Sequence, residues 1–228
     1  MRRLLLATAT LGLLASPAMA AVIVNIDNFG SSQGPVEDLV LGSGGVSSGT
    51  ISYTLGAHNY DREFSVELLA FLAPIQAQAA VVSGVFDILN GTGEKSEVVL
   101  TYTIPASLEA FKNSITNITG LAFFFDVVAL DLNPITISAK LNGNSLDPII
   151  PPLGLPGIYR FDVPIGAIDG TLEFIFNGDP GYDITIDNLR LWIGRNNEPF
   201  DPTPAPAMLG LFGLGLAGLA LARRRRSA

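Results

Sequence analysis

Apolar and polar residues alternate one by one along much of this chain, and that period decides its fold class. Successive side chains of a strand point to opposite faces, so a half-buried strand reads apolar, polar, apolar. Ile51, Tyr53 and Leu55 alternate with Ser52 and Thr54. Between Glu63 and Leu72, Phe64, Val66, Leu68 and Leu72 share one parity. Val98, Leu100, Tyr102 and Ile104 do the same between Glu97 and Ile104. Three further runs follow: Ile135 to Leu141 with Thr136, Ser138 and Lys140 outward, Tyr159 to Val163 with Arg160 and Asp162 outward, and Leu172 to Asn177. Leu121 to Val128 is apolar on both faces, which predicts a central strand covered on both sides.

Turn chemistry separates these runs. Asn90-Gly91, Asn142-Gly143, Asp169-Gly170 and Asp179-Pro180-Gly181 are residues that tolerate tight turns. Gly42 to Gly49 and Asp147 to Gly157 read as loops. One short helix is predicted over Pro105 to Ile115, with Pro105 near its start and Leu108, Phe111 and Ile115 on one face. About ten short strands in one unit of this size predict an all-β fold, an antiparallel β-sandwich of the jelly-roll type.

The two ends do not fit that unit. Met1-Arg2-Arg3, the apolar run Leu4 to Ala15 and Ser16-Pro17-Ala18-Met19-Ala20 have the layout of a secretory signal peptide over residues 1–20. Signal peptidase accepts only small side chains just before its cut, and Ala18 and Ala20 supply them. At the other end, Ala207 to Ala222 carries no charge, and Arg223, Arg224, Arg225 and Arg226 follow at once. Sixteen helical residues reach ~24 Å, short of a hydrocarbon core of ~30 Å, a gap that arginine snorkelling and bilayer thinning can close. The arginines resist translocation, so they are expected on the cytoplasmic side. The expected organisation is a β-sandwich over 21–194, a proline-rich spacer over 195–206, a membrane helix over 207–222 and a basic cytoplasmic tail over 223–228.

Between these ends the chain holds all 21 acidic residues and seven basic ones, a net charge of −14. Such a surface excludes binding to nucleic acid by charge. There is no cysteine, which excludes thiolate metal sites, thiol nucleophiles and disulfides.

The tail carries a resemblance. Thr203-Pro204-Ala205-Pro206-Ala207, an apolar Gly/Leu/Ala run and a terminal arginine cluster resemble the PEP-CTERM sorting signal of Gram-negative bacteria. Pro204 and Pro206 match its two prolines, and Ala205 stands where that motif has glutamate. The resemblance implies an inner-membrane intermediate, cutting near Pro204 to Pro206 by an exosortase, and delivery to the cell surface or to extracellular polysaccharide. A permanently anchored protein is the alternative. More weakly, Val22 to Gly30 and Tyr182 to Trp192 resemble the first and last strands of carbohydrate-binding jelly-roll modules. That resemblance implies a polysaccharide partner and a structural calcium held by Asp27 and Asp187, with Asp183 nearby. A β-bulge near Asp187-Asn188 is expected, because the inward parity changes there.

Catalytic patterns are sparse, and no enzymatic activity is expected. Gly45-Val46-Ser47-Ser48-Gly49 fits a nucleophile elbow in letters, but the motif needs a strand–turn–helix context and a later histidine. The single histidine, His58, comes eleven residues after Ser47. It is expected in a surface loop. An exported hydrolase is therefore the least favoured reading. Trp192 is expected in the core.

Overall fold

A computed structural model describes residues 21–70, 77–197 and 199–200. Its strands are β1 (Val22–Asp27), β2 (Gln33–Glu37), β3 (Val46–Ser47), β4 (Ile51–Leu55), β5 (His58–Ala70), β6 (Gln78–Val82) and β7 (Val85–Leu89). They continue with β8 (Lys95–Ile104), β9 (Ile118–Leu130), β10 (Ile135–Leu141), β11 (Asn144–Ile149), β12 (Gly157–Val163), β13 (Gly170–Gly178) and β14 (Ile184–Arg195). The helix α1 (Ala106–Asn113) joins β8 to β9.

Two sheets of seven strands face each other, and every pairing is antiparallel. The first sheet, A, runs β12-β9-β14-β7-β6-β2, with β1 also on β14. The second, B, runs β11-β10-β13-β8-β5-β3, with β4 also on β5. Within them, β7-β14-β9-β12 faces β8-β13-β10-β11. That alternation between sheets is the eight-stranded jelly-roll order expected from the sequence.

The inward parities meet between the sheets. Phe86, Phe125 and Phe161 of sheet A interlock with Phe64, Phe174 and Phe176 of sheet B. Ring centroids lie 5.3 Å apart for Phe64–Phe86 and 5.4 Å for both Phe125–Phe174 and Phe161–Phe174. Such edge-on pairs add to the burial of each ring. Leu121, Phe123, Phe125 and Val127 of β9 enter this core, while Ala122 and Phe124 are buried on the other side. The central-strand reading therefore holds from Leu121 to Phe125, while Val128 at the far end of the outer face is exposed.

The bulge lies where expected: the β14–β9 register shifts between Asp187 and Arg190, and Asn188 takes φ 51°. Ile184 and Ile186 stay inward with Leu189, Leu191 and Ile193 as a result. The helix differs from expectation by one face. Leu108 and Lys112 are buried, while Phe111 is exposed beside the His58 ring. Lys112 can go inward because Glu109 and the carbonyl of Gly166 satisfy its ammonium group. The stretches read as loops contain strands as well. Val46–Ser47 pairs with β5, and β11 extends to Ile149.

Candidate functional site

The C-terminal end of the sandwich is built on the outer face of sheet A. Four strands lie side by side there, β1, β14, β9 and β12. Ile23, Trp192, Ala122 and Asp162 form one cross-strand row, and Asn25, Arg190, Phe124 and Arg160 the next. Trp192 is buried, but on this outer face and not in the core between the sheets. The reason is parity: Leu191 and Ile193 point inward, so Trp192 must point outward. Its indole lies flat over Gly194 and Gly120, where a Cβ would meet the ring at 2.1 Å and 2.8 Å.

Phe200 covers this patch. Its ring stands edge-on to Phe124 at 5.2 Å and to Trp192 at 5.5 Å. The Arg160 guanidinium lies 4.5 Å from the Phe200 centroid and 5.2 Å from that of Trp192. Arg190 stacks at 4.5 Å on Phe124. Asp162 holds Arg160 and Asp126 holds Arg190. Cations over aromatic faces are favourable, and the carboxylates fix the guanidinium planes. The amides of Asn196 and Asn197 donate to Thr116's neighbour Asn117 (carbonyl, 3.2 Å) and to Thr119 (hydroxyl, 2.9 Å). The chain thus stays on the sandwich as far as Phe200, beyond the expected boundary at 194. The expectation of an unpacked spacer from Arg195 overlooked this aromatic contact.

Phe200→Ala is expected to cost about 1–2 kcal/mol of stability, from lost aromatic burial. It should also shift the emission of Trp192, the only tryptophan, to longer wavelength. An unchanged emission maximum would show that Phe200 does not shield the indole.

A second feature is an open groove of about 540 Å³ on the outer face of sheet B. Glu97, Thr136, Ser138, Lys140, Ser145 and Asn177 supply its polar groups, and Ile175 and Leu146 its apolar ones. Asn177 Nδ2 donates to Glu97 Oε2 at 3.1 Å, which orients both side chains. Hydroxyls, an amide, a carboxylate and an ammonium group on one shallow strip can hydrogen-bond a polyhydroxylated ligand. This groove had no single sequence signature. Most of its residues are the outward parities of β8, β10 and β13, joined by Ser145 and Leu146 of β11, and these positions look ordinary until the register aligns them.

The expected calcium pair is not brought together. Asp27 points between the sheets, where its Oδ2 receives Arg62 Nη1 at 2.5 Å and the Tyr102 hydroxyl at 3.0 Å, and its Oδ1 receives the Phe29 amide at 2.7 Å. Arg62 also donates to Gln33 Oε1 at 3.0 Å and to the Ser31 carbonyl at 2.5 Å. The Phe29 and Tyr53 rings flank its guanidinium at 5.6 Å each. Burial, then the Asp27 charge, pushes the Tyr102 phenol well above its ordinary pKa, so it remains a donor. Asp187 points to the opposite face of sheet A. Burial raises its carboxyl, and neighbouring Asp126 adds to the rise. Asp183 accepts the Asn90 amide at 2.8 Å. Among the described residues no group of three or more His, Cys, Asp or Glu side chains could hold a metal ion.

Ser47 and His58 are separate too. Ser47 lies opposite Ser65 on β5, and its hydroxyl donates to Glu63. His58 starts the same strand seven residues earlier, roughly 23 Å away at strand spacing. It begins a strand and does not lie in a loop, and its Nδ1 is 2.9 Å from Ser107 Oγ. No strand–turn–helix elbow surrounds Ser47.

Ala18, Ala20, Pro204, Ala205, Pro206 and Arg223 to Arg226 lie outside the described residues, as does the apolar run 207–222. Among the described residues no helix is long and apolar enough to cross a membrane.

No curated protein sequence matches the chain. Solved structures with a partial likeness include a mutant family 29 carbohydrate-binding module complexed with cellulohexaose. It shares 16% identity over 81% of this chain and 99% of that one, with a TM-score of 0.35. Another mutant family 29 module shares 15% identity over 80% and 99%, at 0.36. The enzymatically active domain of bacteriophage CBA120 tailspike protein 4 shares 12% over 59% and 19%, at 0.32. At the C-terminus the comparison is direct: residues 202–226 match the PEP-CTERM protein-sorting motif, the mark of an exported protein sorted through the membrane toward the cell surface.

Proposed function

We propose that this chain is an exported envelope or extracellular-matrix protein that an exosortase-type enzyme cuts near Pro204 to Pro206. Its sandwich serves as a non-enzymatic structural or carbohydrate-binding module. One observation carries the reading: the sorting motif begins at residue 202, two positions after Phe200 closes the folded unit. Cutting there removes the tail and leaves every described contact of the sandwich intact. In this reading the signal peptidase acts after Ala20, the apolar run holds an inner-membrane intermediate, and the arginines stay cytoplasmic. The groove on sheet B is where a polysaccharide chain lies, since its polar groups offer both donors and acceptors.

The test uses the native host. Replacing Pro204 and Pro206 by alanine is expected to trap the tailed form in the membrane fraction, while the wild-type chain reaches the surface without its tail. Equal release of both would sink the processing step. A surface protein that keeps its tail would support the permanently anchored alternative. Retention of the purified protein on envelope polysaccharide, weakened by Lys140→Ala, tests the groove separately.

A further inference from the structure

The outer face of sheet A carries exposed apolar side chains as well as the Phe200 clamp. Val128 and Ile158 lie on that face, further along β9 and β12 from Phe124 and Arg160. The loop before β12 continues the patch. Its Gly154 donates its amide to the Asp131 carbonyl at 2.9 Å and lies against Leu132, and Leu153 and Leu155 flank it. Leu132 is 76% exposed, Leu155 57%, Leu153 49%, Val128 46% and Ile158 45%. Single exposed apolar residues are ordinary, whereas a contiguous group marks a contact surface.

What covers it follows from where the chain leaves. The described chain ends at Phe200 on this face, and the apolar run starts at Ala207. Seven residues span at most ~25 Å when fully extended. A chain whose apolar run is in the bilayer therefore keeps this face within reach of the lipid surface.

We infer that Val128, Leu132, Leu153, Leu155 and Ile158 form a lipid-contacting surface on which the sandwich rests while its tail is in the membrane. The inference rests on the membrane intermediate proposed above. It adds that the folded unit is oriented against the bilayer, which holds the Pro204 to Pro206 segment at the lipid surface.

The chain has no cysteine, so one introduced thiol labels one site. Full-length Leu155→Cys, Thr171→Cys and Ala217→Cys chains, each with one fluorophore, are reconstituted in vesicles of phosphatidylethanolamine and phosphatidylglycerol. Thr171 is exposed on the far face of sheet B, and Ala217 lies within the apolar run. Nitroxide lipid should quench the label at 155 about threefold more than at 171, because interfacial side chains enter the outer ~5–10 Å of the bilayer. The label at 217 should be quenched as well. Quenching at 217 with equal, weak quenching at 155 and 171 overturns the resting surface alone. No quenching at 217 overturns the membrane intermediate and the inference with it. A label at 155 that is shielded from a soluble quencher yet not reached by nitroxide lipid means that a second copy covers the face, and this also overturns the inference.

Discussion

Arg62→Met is expected to lower the unfolding free energy by about 3–5 kcal/mol, because it strands the buried Asp27 carboxylate without its cation. The Arg62 side chain is fully buried, and its donors reach Asp27, Gln33 and the Ser31 carbonyl. This cluster ties β1 and the segment after it, in sheet A, to β5 in sheet B. The double variant Asp27→Asn with Arg62→Met removes the stranded charge and should recover about 1–2 kcal/mol relative to Arg62→Met alone. Urea unfolding with an unchanged slope measures both effects. If Arg62→Met left the midpoint where it was, the two sheets would not depend on this pair. If the double variant were no better than the single one, the loss would lie in packing and not in the stranded charge.

Gly194→Ala is the second large effect. Its Cβ would lie 2.1 Å from Cη2 and 2.5 Å from Cζ2 of Trp192, both impossible contacts. Gly194 sits beside Gly120 in the β14–β9 register, and the indole fills the space both leave. The added methyl must lift the ring off the sheet, and with it Phe200 and Arg160. A loss of about 3 kcal/mol is expected, at the upper end of what overpacking costs. Trp192 emission should move to longer wavelength in the same variant. Gly49→Ala is the comparison. Nothing lies within 4 Å of its Cβ, and only its positive φ of 71° opposes the change. A Gly194→Ala protein as stable as wild type would mean that the indole does not occupy the glycine cradle in solution.

These two sites show what was legible in the sequence and what was not. The long strands were legible because each buries one face, so period two is written into Ile135 to Leu141 and Leu172 to Asn177. The short strands β2, β3, β6 and β11 were harder. Six residues or fewer give little period, and Pro35 and Pro148 interrupt two of them. Arg62 left a usable trace: it shares its parity with Tyr60, Phe64 and Val66, all of them buried. A cation on an apolar face demands a buried acceptor, and an acid in another strand was the place to look. A lone acid such as Asp27 does not reveal by itself whether a metal or an arginine answers it, and here Arg62 does.

Trp192 and Phe200 teach a similar lesson. The bulge at Asp187-Asn188 was legible, and it already placed Leu191 and Ile193 inward. The same parity puts Trp192 outward, so a cover was required. The glycines at 120 and 194 were the second trace, since a sheet surface lacking two side chains makes room for a ring. The cover came from a stretch read as a spacer on its proline content, although it includes one phenylalanine. The groove on sheet B was the least legible feature, because its residues come together only through the pairing of β8, β13, β10 and β11.

At the end of its route the sandwich is expected to travel alone, freed of both terminal segments. The intact mass of the protein recovered from the surface of its native host tests that directly. The recovered chain should begin at Ala21 and end between Pro204 and Pro206, with or without a group added at the new C-terminus. A surface chain that still carries Arg223 to Arg226 would contradict it.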